Sequence, residues 1–341
     1  MSALRGVRSA SDNHGMPDLW ELADLCTPWC IHVVATLRVA EHIEAGKTRV
    51  DEIAAAAPCD AWVLHRVMQH LVRKGVFEEP EEGRFALNDT ARGLLDPMMR
   101  IGLDLDRFGG RMAHAWGTML QYVRTGEPAY RGLFGRDFWA DLEAHPEVAA
   151  DFDALIGPAG HGTPDPNFEI TLGWEAVRWV VDVGGGTGAM LAEILRAHPH
   201  LRGTLVDVPR AVASSASIFA AAGVTDRVTT SGQSFFDPLP AGADLYLLRG
   251  VLNDWGDRDA LAILRRCAEA VKPTGRIVVL KGISPDGAKR PLMIEMVLAG
   301  GRHRSVSEFR LLAAKAGLEL IAANRQQSYF AAECSRFSMN S

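Results

Sequence analysis

The chain has 341 residues, 48% of them hydrophobic and 23% charged, with a formal net charge of −6. This length suggests two domains rather than one, and the mildly acidic, ordinary composition argues against a nucleic-acid partner. Cys26, Cys30, Cys59, Cys267 and Cys334 show no Cys-x-x-Cys spacing and no companion His pattern, so reduced thiols and no metal site are expected.

Arg5 and Arg8 are followed by Asp12, Asn13 and His14, a polar tail rather than a signal peptide. No apolar run approaches the roughly 18 residues that span a bilayer, so a cytoplasmic protein with no membrane partner is expected. Residues 17–100 read as mostly helical. Leu19, Leu22, Ile31, Val34, Leu37 and Ile43 recur at helical spacing, with a break expected at Pro28. A short helix at Val50–Ala56 and a turn at Pro58 and Asp60 follow. Trp62, Leu64, Val67, Met68, Leu71 and Val72 then mark a second amphipathic helix, closed by Gly75. Val76–Glu79 and Arg84–Leu87 flank an acidic turn and read as a hairpin. Helix, turn, helix, hairpin is a winged-helix pattern. Its charge opposes DNA binding: residues 1–100 carry 11 Lys and Arg against 15 Asp and Glu, and the wing turn holds Glu78, Glu79, Glu81 and Glu82. A dimerisation module is the better reading.

Residues 101–170 read as further helices, with Trp116, Met119, Leu120 and Val123 on one face and Phe138, Leu142, Phe152 and Leu155 beyond. Pro158, Gly160, Gly162, Pro164 and Pro166 make a loop. These signals divide the chain into residues 1–105, a helical region 106–165 and a second domain 166–341. From Trp179 strands alternate with helices: Val180–Val183, a glycine loop and a helix to Ala197, Arg202–Asp207, Asp244–Leu248, a helix Asp259–Val271, and Arg276–Leu280. This predicts an α/β class fold with a parallel sheet.

The loop Asp182-Val183-Gly184-Gly185-Gly186-Thr187-Gly188 follows a strand and opens a helix. Glycines there let the backbone approach a ligand closely, and no Gly-Lys-Ser/Thr ending follows, which excludes a P-loop. Asp207, at the end of the next strand, can accept two ribose hydroxyls, an arrangement that serves NAD and S-adenosyl-L-methionine (SAM) equally. The later segments Ser234–Pro240, Asp244–Arg249 and Asn253-Asp254-Trp255 are not dinucleotide grammar. On Val181–Gly188, Phe235–Pro240 and Leu264–Gly275, residues 17 to about 333 resemble the SAM-dependent O-methyltransferases of plant phenylpropanoid and bacterial aromatic polyketide pathways.

The resemblance implies a winged-helix dimerisation domain before a Rossmann-like SAM domain, a homodimer, and a small aromatic or polyketide-like substrate. It places Gly184 and Gly186 at the methionine part of SAM and Asp207 at the ribose, with Asp182 among the cofactor-binding residues. Ser234, where relatives often have Asp, flanks the adenine with Phe235; Arg249 supplies a basic contact and Trp255 packs near the adenine. It also exposes a departure. The family's catalytic histidine stands where this chain has Asn253, and its two bracing glutamates where this chain has Lys281 and, after Gly300-Gly301-Arg302, His303. An amide is no base near neutral pH. His303 is then the expected base, Lys281 the cation that lowers the acceptor's pKa, and Asn253 the positioning group. Base-free transfer, a carbon or nitrogen acceptor, and a non-methylating reaction that uses SAM only as a bound charge remain as alternatives. Trp116, Met119, Phe152, Met293 and Met296 are candidates for the substrate wall. His114 and His161 are lone histidines left outside the site.

Overall fold

The computed structural model describes residues 18–157 and 163–337. The polar tail, His161 and part of the glycine- and proline-containing loop at 158–166 lie outside the described residues. The chain divides into two compact units at Asp106/Arg107.

In the first unit, helix Cys26–Thr36 carries Pro28 in its first turn, where a missing N–H is harmless. The expected break at Pro28 is therefore not there. It falls ten residues later, at Arg38, whose φ of 52° separates this helix from Val39–Glu44. Helices Val50–Ala56 and Ala61–Arg73 follow, then β1 (Phe77–Glu81) and β2 (Arg84–Leu87), paired antiparallel. Thr48 accepts from Phe85 N on the returning strand, and Val50 N donates to Gly83 in the turn before it, which completes the wing. Val34, Ile53, Leu64, Met68, Leu71, Phe77 and Phe85 form the core. Trp62 does not join it: the side chain is exposed. Asp60 caps the Ala61–Arg73 helix through the Val63 N–H.

The second unit is built on seven strands. They are β3 (Trp179–Val183), β4 (Arg202–Asp207), β5 (Val228–Gly232), β6 (Leu245–Arg249), β7 (Arg276–Leu280), β10 (Leu318–Arg325) and β11 (Phe330–Arg336). Their order is β10-β11-β7-β6-β3-β4-β5. The central five are parallel, and β11 and β10 add an antiparallel edge. Both faces are buried. Val181, Val183, Tyr246, Leu248, Ile277 and Val279 enter one core with helices Asp257–Ala270 and Val306–Lys315. Val180, Leu245, Leu247, Val278 and Leu280 enter the other with Ala189–Ala197. Near-continuous apolar strands are what a doubly covered parallel sheet requires. Strand order reverses between β3 and β6, so the ligand crevice lies at their carboxyl ends. A small parallel pair, β8 (Ile283–Ser284) and β9 (Arg304–Ser305), stands beside the sheet.

Helices Phe108–Trp116, Phe138–Ala144 and Pro146–Ile156 pack with Val297 and Leu298 in one cluster of this second unit. The single apolar face expected over Trp116–Val123 is absent. Trp116 and Met119 belong to different helices, and Leu120 and Val123 are exposed. Beneath this layer a fully buried Asp141 accepts from Tyr130 Oη (2.7 Å) and Arg111 Nε (3.1 Å), which fixes three helices to one carboxylate.

Candidate active site

The turn after β3 is made possible by glycine. Gly184, Gly186 and Gly188 have φ of 68°, 59° and 82°, a region that side chains disfavour. A Cβ on Gly184 would lie 2.8 Å from Val251, and one on Gly185 would lie 2.4 Å from Asp182 Oδ2. At Gly186, by contrast, nothing lies within 4 Å of that position. The loop presses onto the sheet on one side and leaves space on the other.

That space is a cavity of about 440 Å³, and it gathers all eight candidate cofactor residues: Asp182, Gly184, Gly186, Asp207, Ser234, Phe235, Arg249 and Trp255. Asp207 accepts from Gly186 N (2.8 Å) through one oxygen and from Val208 N (2.7 Å) through the other. Each oxygen keeps a lone pair for a ligand hydroxyl. Burial pushes its pKa up. Asp182 is fully buried, and neither of its oxygens has a hydrogen-bond partner among the described residues. Burial drives its pKa up to about 7, with the Arg249 charge opposing and Asp207 reinforcing. Arg249 Nη2 donates to the Thr163 carbonyl (3.3 Å), and its guanidinium lies over the Tyr329 ring. Phe235 and Phe236 both meet Trp255 edge-on, and Trp139 stacks on Trp255 at 5.6 Å between centroids. Arg210, paired with Asp153 and Glu143, also lines the cavity.

An aromatic wall, an acidic ribose acceptor, open space before a glycine loop and an unpartnered carboxylate fit a nucleoside that carries positive charge. SAM has that combination.

The catalytic candidates converge on the turn Leu252–Asp254. A Cβ on Gly282 would lie 2.9 Å from Asn253 Cβ, and one on Gly301 would lie 2.5 Å from the Asn253 carbonyl oxygen. The segments that carry Lys281 and His303 therefore abut Asn253 from two sides, held together where Arg304 N donates to the Gly282 carbonyl (2.9 Å). None of the three residues lines the cavity; their neighbour Asp254 does. Asn253 Nδ2 donates to Asp254 Oδ1 (2.7 Å), while Asn253 Oδ1 is buried without a partner among the described residues. Asp254 is pushed well above the ordinary carboxylate range by burial and by Glu295. Burial lowers the pKa of His303, against the pull of Glu295. Lys281, at a φ of 68°, is lowered by burial and by Arg249.

The substrate-wall candidates scatter. Phe152 lines the first cavity, and Met296 lines a second one, of about 830 Å³, that shares Trp139 and Trp255 with it. Met119 packs among the helices, Trp116 is 37% exposed, and neither it, Met119 nor Met293 lines either cavity. Trp139, Asp254 and Glu295 went unassigned in the sequence. Only Asp254 had a signal there, its place in Asn253-Asp254-Trp255.

The second unit is thus a nucleoside-binding α/β domain of the methyltransferase kind. Residues 116–319 match the model of the O-methyltransferase domain, and residues 20–97 match that of the O-methyltransferase dimerisation domain. The 2,7-dihydroxy-5-methyl-1-naphthoate 7-O-methyltransferase of Streptomyces carzinostaticus is 40% identical over 89% of this chain and 92% of its own length. The aclacinomycin 10-hydroxylase RdmB of Streptomyces purpurascens is also 40% identical, over 89% of this chain and 84% of its own. Among solved structures, the O-methyltransferase NcsB1 from neocarzinostatin biosynthesis, in complex with S-adenosyl-L-homocysteine and 1,4-dihydroxy-2-naphthoic acid, is 37% identical. It superposes with a TM-score of 0.81 over 94% of this chain and 99% of its own. The chain belongs to the O-methyltransferase family, and it is a SAM-dependent methyltransferase.

Proposed function

We propose that this enzyme, acting as a cytoplasmic homodimer, methylates a hydroxyl group on a fused-ring aromatic acid of the hydroxynaphthoate type. The supporting observation is the single cavity in which the candidate cofactor residues meet Trp139, Phe152 and Ile156, an apolar wall suited to a flat ring system. The naphthoate specificity of the S. carzinostaticus relative and the naphthoic acid bound to NcsB1 point to the same substrate class.

Asp207 would hold the ribose, Phe235 and Trp255 the adenine, and Asp182 with the glycine loop the charged methionine end. When bound, SAM supplies an electrophilic methyl group on a sulfonium. The protein's task is to bring an acceptor oxygen into line with it and keep water out. In this reading the acceptor reaches past Asp254, the residue of this turn that lines the cavity, so that its hydroxyl would donate to Asn253 Oδ1. His303, whose pKa burial lowers, takes the proton, and Lys281 stabilises the phenolate. Incubation with SAM and a panel of hydroxynaphthoates should yield methyl ether and S-adenosylhomocysteine in equal amounts. Product formed without S-adenosylhomocysteine would instead assign the chain to the non-methylating chemistry that the hydroxylase relative's name describes.

A further inference from the structure

The first unit holds a cluster that no Cys-x-x-Cys pattern announces. Cys26 stands at the first position of helix Cys26–Thr36, and Cys30 follows one turn later on the same face. Their Sγ atoms lie 3.7 Å apart, and both thiols are free. His70 reaches them from helix Ala61–Arg73, and one ligand atom from each of the three residues lies within 4.8 Å of the other two.

The sulfur separation is informative. Metal–sulfur bonds of about 2.3 Å at a tetrahedral angle set two thiolates about 3.8 Å apart. The surroundings are those of a ligand set rather than of a random contact. Thr27 Oγ1 donates its one proton to Asp24 Oδ2 (2.6 Å), so the His70 Nε2 that lies 2.8 Å from Oγ1 must be the donor in that bond. This places the imidazole proton on Nε2 and the lone pair on Nδ1. A carboxylate acting through one intermediary to fix the tautomer is how metal-binding histidines are commonly held. The charges also balance. Lys74 Nζ pairs with Asp24 at 2.9 Å, so the dithiolate alone would neutralise a divalent ion.

We propose that Cys26, Cys30 and His70 form a binding site for one thiophilic cation, zinc or a metal of similar softness, with a fourth position left to solvent. The ion would tie the start of helix Cys26–Thr36 to helix Ala61–Arg73. The site is independent of the methyl-transfer reading, since all three ligands lie in the other compact unit.

The test uses the full chain, reduced with a phosphine and stripped of metal by chelator dialysis, then titrated with Cd2+. A thiolate-to-cadmium charge-transfer band should saturate at one equivalent per chain and be reversed by excess Zn2+. Cys26→Ser and Cys30→Ser should each abolish it. His70→Ala should weaken binding by at least about tenfold. Cys59→Ser, which alters an exposed thiol outside the cluster, should leave the band intact. No band in the unmodified protein, saturation at half an equivalent, or a band that survives in the Cys26→Ser/Cys30→Ser double variant would overturn the proposal. If a variant fails to fold, alkylation of the unmodified protein still decides: Cd2+ must protect Cys26 and not Cys59, and equal alkylation of both refutes the site.

Discussion

Two adjacent glycines separate the cofactor role of the 184–188 loop from its role in folding. At Gly186, φ is 59° and a Cβ would meet nothing within 4 Å. Gly186→Ala therefore costs only the left-handed backbone penalty, about 1–2 kcal/mol, which lowers the melting temperature by roughly 2–8 °C in a unit of this size. The new methyl group would stand in the space before the loop, where the proposed function puts the charged end of SAM. At Gly185 a Cβ would lie 2.4 Å from Asp182 Oδ2 and 2.6 Å from Leu205 Cδ1, both immobile in the core. Gly185→Ala must shift the strand or the loop. The cost is that of overpacking, typically 1–3 kcal/mol and here at the upper end, because a buried carboxylate is also displaced. Calorimetric titration with S-adenosylhomocysteine, alongside thermal melts, should show Gly186→Ala folded but with affinity reduced at least about tenfold. Gly185→Ala should show a larger fall in melting temperature. Undiminished affinity in a folded Gly186→Ala would refute the placement of the cofactor over this loop.

Three further outcomes follow from the site. Asp182, raised to about 7 from 3.8, favours the fold most in its protonated form. That contribution is complete below about pH 4 and is lost as pH rises to 7, on the order of 4 kcal/mol across the interval. Asp182→Asn should flatten the fall in denaturant stability of the SAM-free protein between those values; an unchanged slope would show that the carboxyl titrates normally. His303→Ala should cut kcat by about 10²–10⁴ while leaving S-adenosylhomocysteine affinity intact. It should also remove an acidic limb of the rate profile lying below the ordinary histidine value of 6.5. Full activity in this variant excludes His303 as the base. Arg304, 2% exposed, donates to the carbonyls of Leu252 (2.8 Å), Arg302 (3.0 Å) and Trp255 (2.9 Å) and pairs with Asp257. Arg304→Ala strands three carbonyls and should destabilise by about 3–5 kcal/mol, with Arg304→Lys recovering only part. A melting temperature within 2 °C of the unmodified protein would mean that the turn does not depend on this clamp.

What could be read from the sequence follows from where the physics is local. The β3 loop, β4, β6 and β7 stand out because a strand buried on both faces is a continuous apolar run, and a glycine loop after such a run has few other uses. β5, Val-Thr-Thr-Ser-Gly, is an edge strand whose side chains are mostly half or fully exposed, so it carries no hydrophobic signal. β10 loses its alternation at the register shift between Leu320 and Ala322. The candidate cofactor residues lie within a few positions of strand ends, and they line one cavity. The substrate wall depends on how helices pack, which methionine and aromatic spacing does not encode. Trp116, Met119 and Met293 line neither cavity, whereas Trp139, a residue not singled out in the helix marked by Phe138 and Leu142, stacks on Trp255 and lines both. Cys26, Cys30 and His70 illustrate the same limit: only the fold brings His70 to the two thiols.

The replaced catalytic turn is coherent as chemistry. Asn253 Nδ2 donates one of its two N–H groups to Asp254, and Oδ1, buried without a partner among the described residues, is the acceptor the side chain would offer. An amide oxygen can orient a hydroxyl by receiving its proton in a hydrogen bond, but it cannot remove that proton. Burial and Glu295 raise the pKa of Asp254 well above the ordinary carboxylate range. In the proposed mechanism the proton leaves by His303, whose pKa burial lowers and whose segment abuts Asn253 through Gly301. A more acidic acceptor needs less from that base. A hydroxyl conjugated to a fused aromatic ring, with Lys281 to stabilise its anion, is the kind of acceptor for which an asparagine in place of the family's histidine costs least.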